Sequence, residues 1–191
     1  MPDFIAPVFL KAQQTDGVSA HVLDRHEVES YLLEPKLIEA ASQLVGRHVT
    51  QAQARNAIVK AGDSLKAKGR RASLETARAV NRHLPTNERW KDPELEEKVY
   101  EWFDGLDLSD LQVIQRVSPG KETLAETLRI LNAGHGRQLT RGHLVASISN
   151  DRVAGDICDL LTGIAATTAP IVASTARRKA RPKPAKRRRR V

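Results

Sequence analysis

The spacing of hydrophobic positions changes along the chain and predicts a mixed fold dominated by helices. Near the start, Val18, Ala20, Val22 and Leu23 are interleaved with Ser19 and His21 behind Asp16-Gly17, a pattern that reads as a turn and a half-buried strand. Phe4, Pro7, Phe9 and Ala12 precede it as irregular chain and a short helix. Leu37, Ile38, Ala41, Leu44 and Val45 then share one face of a helix that Gly46 stops. Thr50 and Gln53 have the form of a capping box for a helix carrying Ala54, Ala57, Ile58 and Ala61, weakened at its end by Gly62. Residues 66–87, rich in Lys, Arg, Ala and Asn, read either as a further helix or as a mobile linker.

The clearest helix signal is Asp92-Pro93-Glu94, an N-cap residue, a proline at the first helical position and acids in the first turn. Leu95, Val99, Trp102, Phe103 and Leu106 make its core stripe, so the aromatics read as packing rather than as a base-stacking surface. Gly105 ends it. A second strand is expected over Leu111–Val117. Ser118-Pro119-Gly120-Lys121-Glu122 opens a helix with Leu124, Leu128 and Leu131 on one side, and Thr140 caps a short helix through Leu144, Val145 and Ile148. Val153, Ile157, Leu160, Leu161 and Ile164 mark another, and there is no internal repeat.

Charge changes this picture more than composition does. The chain has 191 residues, with 31 Lys+Arg against 23 Asp+Glu, a formal net charge of +8. Ten of those cations, Arg177, Arg178, Lys179, Arg181, Lys183, Lys186, Arg187, Arg188, Arg189 and Arg190, fall in a Pro-interrupted run without an acid. Residues 1–176 therefore carry 21 positive against 23 negative charges, a net of −2. The run is expected to be a disordered basic tail able to contact nucleic-acid phosphates. The single cysteine, Cys158, excludes a disulfide framework and lies on a helical apolar stripe, where it reads as an inert thiol. No apolar run approaches the roughly 18 residues of a membrane span, and no secretion signal opens the chain, so a cytoplasmic location is expected.

Two segments could carry chemistry. Lys121 faces the positive end of a helix dipole, an unfavourable placement that a bound phosphate would offset; the alternative is an exposed lysine that turns to solvent. The segment is not a Walker A loop, because Gln115 and Glu122 occupy positions that need Gly and Ser/Thr. The other segment is His26-Glu27-Val28-Glu29, where a carboxylate following a strand either holds a divalent cation or sits in a solvated turn. Glutamates two positions apart point to different sides, so at most one serves as a ligand. The histidines at 21, 26, 48, 83, 135 and 143 have no metal spacing and read as surface or packing residues.

In order and spacing these pieces resemble one family. Glu27-Val28-Glu29-Ser30-Tyr31-Leu32-Leu33-Glu34-Pro35 is similar to the "EIENYLL-x-P" segment of the Toprim domain in OLD-type ATP-dependent nucleases, with Ser30 in place of the usual Asn. Pro119-Gly120-Lys121-Glu122 is similar to that family's "PGKE" turn, and Leu139 to Ile164 resembles its final helices. The resemblance implies Mg²⁺- or Mn²⁺-dependent DNA cleavage coupled to an ATPase and used in phage defence. By it, Lys121 and Glu29 are the catalytic residues, and Asp3, Glu27 and Glu29 are the metal ligands. Met1 stands where the family has the first Asp of its Asp-x-Asp motif, and the ATPase and the first Toprim glutamate have no counterpart.

The expected architecture is therefore α/β but predominantly helical. Residues 1–35 would close a Toprim-like α/β domain, 36–106 form a helical insertion, 107–165 hold a return strand, the PGK turn and C-terminal helices, and 166–191 form the tail. Functionally, the chain would be the C-terminal part of such a nuclease, either a truncated reading frame or one half of a split protein, without an ATP site, inactive alone and needing a separate ATPase/Toprim chain for completeness. The alternatives are a non-enzymatic protein that binds DNA through its basic arm, and a helical interaction domain with a solubilising tail.

Overall fold

The computed structural model describes residues 27–149, 151, 152 and 155. The chain divides into two units, Met1–Ala154 and Gly155–Val191, and the fold below is that of the first. The strand expected over residues 18–23, all but Gly155 of the helix expected over 153–164, Asp3, Cys158 and the basic run from Arg177 lie outside the described residues.

Among the described residues the fold is helical throughout. A 3-10 turn, Val28–Leu32, leads into α1 (Pro35–Leu44), α2 (Gln51–Ser64) and α3 (Lys66–His83). A further 3-10 turn at Thr86–Glu88 precedes α4 (Asp92–Asp104), α5 (Leu111–Val117), α6 (Gly120–Asn132) and α7 (Arg141–Ala146). None of the described helices is long and apolar enough to cross a membrane.

Local sequence accounts for the helix boundaries. Thr50 accepts a hydrogen bond from the Gln53 amide while Gln53 Oε1 accepts from the Thr50 amide, the reciprocal capping box expected there. Pro35 and Pro93 sit in the first turns of α1 and α4, where a missing N–H costs nothing. Gly46 has φ +66°, the left-handed conformation that ends α1. Residues 66–83 resolve as helix, because Gly69, Ser73, Leu74, Ala77 and Val80 form a buried stripe.

The strand expected at Leu111–Val117 is a helix instead. Asp110 caps it by accepting from the Gln112 amide at 2.9 Å. Ile114 and Val117, three apart, are buried, as is Gln115, whose side-chain amide donates to the Leu33 carbonyl at 2.7 Å. Burial at helical spacing overrides the β-branched composition of this segment. The return strand of a Toprim-like sheet is therefore absent from this position.

The main core joins Leu32, Leu33, Leu37 and Ile38 to Val49, Ala54 and Ile58, and then to Ile114, Leu124, Leu139 and Leu144. A second cluster lies between α3 and α4, made of Leu74, Ala77, Val80, Leu95 and Val99. Gly62 is no weak helix end: a β-carbon there would lie 2.9 Å from Ile114, so its lack of a side chain lets α5 lie against α2. Some expected core positions face outward. Leu44 is exposed at the end of α1, and in α7 only Leu144 is buried while Val145 is exposed; Ile148, expected in this helix, lies beyond its end and is exposed as well. Trp102 and Leu106 are half-buried rather than core.

Candidate functional site

The two segments singled out for chemistry meet. Pro35 disfavours helix in the residue before it, and Glu34 is extended, so Glu27 to Leu33 forms one tight turn before α1. Ser30, Tyr31, Leu32 and Leu33 are buried, and this fixes Glu27 and Glu29 on the outer side. α6 begins directly against the turn. The Lys121 amide donates to Glu27 Oε2 at 2.9 Å, so Glu27 acts as a capping group across 94 residues.

Gly120 makes this contact geometrically feasible. A β-carbon at Gly120 would lie 2.5 Å from Ser30 Oγ, 2.9 Å from the Ser30 amide and 3.1 Å from Glu27 Cβ. Only glycine lets the turn sit on the end of the helix without displacement. Gly120 belongs to the Pro119-Gly120-Lys121-Glu122 motif, yet no neighbouring residue in sequence signals its close approach to Ser30.

Glu29 takes a different partner. Its Oε1 lies 3.3 Å from Arg141 Nη1, at the start of α7, and the carboxylate is mostly shielded while the arginine is mostly exposed. The expectation that the two glutamates diverge matches their partners: Glu27 engages the α6 amide and Glu29 the Arg141 guanidinium. The side chain of Lys121 is exposed and has no ion pair among the described residues. The anion at the start of α6 is thus Glu27, a group within the chain, and the Lys121 side chain turns to solvent, the second of the two readings open from sequence.

As a metal site the described residues are incomplete. No three His, Cys, Asp or Glu side chains cluster among them. Glu27 and Glu29 are turned toward an amide and an arginine, and Asp3 lies outside the described residues. The described donor set does not fit a two-metal centre by itself.

Two other polar arrangements are structural. Arg47 donates to Asn132 Oδ1 at 2.7 Å, to the Arg137 carbonyl at 3.2 Å and to the Leu131 carbonyl, placing a cation at the C-terminal end of α6. An open groove of about 470 Å³ adjoins this knot, lined in part by Arg47, His48 and His135, but its arginine is committed to those acceptors. His143, read from sequence as surface or packing, is the reciprocal partner of Thr140 in the α7 capping box.

Comparison with known proteins adds no neighbour: no family model, curated protein or solved structure matches the chain.

Proposed function

We propose that this chain supplies one edge of an OLD-type Toprim nuclease centre and that a separate ATPase/Toprim chain supplies the rest. One observation supports the reading: the Glu27–Glu29 turn and the Gly120-Lys121 helix start, the two motifs carrying the family resemblance, are in direct hydrogen-bonded contact. In this reading Lys121 neutralises charge on the scissile phosphate, and Glu29 is the one carboxylate of the turn that would join acids of the partner around Mg²⁺ or Mn²⁺, Glu27 being the cap of α6. Phage defence follows from the family resemblance alone.

The test is plasmid nicking with Mg²⁺ or Mn²⁺, using the chain alone and together with the product of a neighbouring reading frame that encodes a Walker A ATPase and the missing acids. The expected result is no nicking by the chain alone, nicking by the pair, and loss of that nicking in Lys121→Ala and Glu29→Gln. Equal nicking by the pair with Lys121→Ala overturns the assignment. Nicking by the chain alone overturns its dependence on a partner.

A second reading is carried by the acid-free run of ten Lys/Arg from Arg177 to Arg190: a non-enzymatic DNA-binding protein acting through that arm. Neutralising Arg187 to Arg190 lowers DNA affinity and its salt dependence if this reading holds. An unchanged salt dependence rejects it.

A further inference from the structure

The near-neutral total of the chain body conceals a segregation of charge. α3 carries six Lys/Arg and one acid, whereas the neighbouring α4 carries six acids and one Lys. Part of this charge is neutralised between the two helices: Arg78 bonds Asp92 at 2.6 Å and Glu96 at 2.9 Å, and Arg70 pairs with Asp104 at 3.2 Å. The remainder points to solvent. Lys68, Arg71 and Arg82 are all exposed, and at 100° per residue they fall within an arc of about 60° on the side opposite the buried stripe. They extend along about 21 Å of helix. Lys68 and Arg82 have no ion pair among the described residues, while Arg71 meets Glu75 at 3.0 Å, an exposed pair of small worth.

We propose that this face of α3 is a phosphate-backbone interface for duplex DNA, with Lys68, Arg71 and Arg82 as its contacts. The polyanion is argued from charge complementarity, and its identity as DNA rests on the function proposed above. The residues between the cations favour a duplex over a single strand. Ala72, Thr76 and Ala79 lie beside the stripe, and α3 carries no Phe, Tyr or Trp to offer a base a broad stacking surface. A rigid row of cations on small neighbours can touch phosphates without reading bases, so binding should be insensitive to sequence.

The experiment uses the full chain and a short labelled duplex in EDTA, so that cleavage plays no part and a failed nuclease reading leaves the outcome intact. Affinity is measured across a salt titration for the wild type, the triple variant Lys68→Gln/Arg71→Gln/Arg82→Gln, a variant with Arg187 to Arg190 changed to Gln, and the two sets combined. The triple variant is expected to flatten the log–log salt slope by about 2 to 3 and to weaken binding about tenfold or more, with and without the tail changes. Because all three positions are exposed, its melting temperature should match that of the wild type. Glu75→Gln, which removes the acid from this face, should strengthen binding several-fold. An unchanged slope in the triple variant, in both tail backgrounds, overturns the proposal. Tighter binding of a single strand of equal length, weakened more by the triple variant than duplex binding is, overturns the assignment to a duplex.

Discussion

Glu27 Oε2 accepts a hydrogen bond from the backbone amide of Lys121 at 2.9 Å, and that contact positions the start of α6 against the turn that leads into α1. Glutamate capping a helix from a distant part of the chain does the work that an N-cap side chain does locally. The residue at the N-cap position itself, Pro119, has no such side chain.

Gly120→Ala is expected to break this junction. The added methyl meets Ser30 Oγ, the Ser30 amide and Glu27 Cβ inside normal contact distances. Against the gain in helix propensity of up to about 1 kcal/mol, overpacking against backbone costs about 1–3 kcal/mol. Thermal unfolding should show a net loss of stability, and a melting temperature at or above that of the wild type would refute the close approach.

Arg47 should resist conservative replacement. Its planar guanidinium reaches Asn132 Oδ1 and two carbonyls at once, a fork that a lysine ammonium does not reproduce. Arg47→Lys and Arg47→Ala should both destabilise the fold by about 2 kcal/mol. Denaturant titration that finds Arg47→Lys near the wild type would show that charge alone is enough at this helix end.

Gly62 and Ile114 should be coupled. Gly62→Ala puts a methyl within about 3 Å of three Ile114 carbons and is expected to destabilise despite better helix propensity. Ile114→Val removes one of those carbons, Cδ1, so the double variant should be more stable than the sum of the two single changes implies. Simple additivity in a double-mutant cycle would show that the two helices move apart instead.

The Arg78–Asp92 pair should appear in the acid limb of stability. The hydrogen bond from Arg78 holds the Asp92 carboxyl below the usual carboxylate range. A carboxyl depressed in the folded state stabilises above its unfolded value of about 3.9 and loses that contribution as pH falls through the folded value. Asp92→Asn should therefore melt lower than the wild type at neutral pH, with the gap closing below about pH 4. A gap constant with pH would assign the effect to something other than ionisation.

The helices were readable where local chemistry and periodicity agree, as at Thr50 with Gln53 and along Leu95, Val99 and Phe103. Leu111–Val117 is ambiguous in sequence because a short run with Val113, Ile114 and Val117 fits a strand or a helical stripe until Leu33 is placed opposite Gln115. The residues of the candidate site were legible as motifs, and the divergence of Glu27 and Glu29 followed from their spacing. Their partners did not follow: nothing near Arg141 in sequence points to Glu29, and nothing near Gly120 points to Ser30. The whole-chain charge hid the opposition of α3 and α4, which appears only when each helix is counted separately.

The placement of α6 also bears on the order in which the chain assembles. Its first turn is held by Glu27 and its last by Arg47, both contributed by residues far earlier in the sequence. The α3–α4 hairpin between them carries its own small cluster and needs only neighbours close in sequence. Closing a loop of some ninety residues costs more chain entropy than folding such a hairpin. On these chain-entropy grounds the hairpin can form as an early local unit, while the contacts of α6 with Glu27 and Arg47 wait on closure of the longer loop between them.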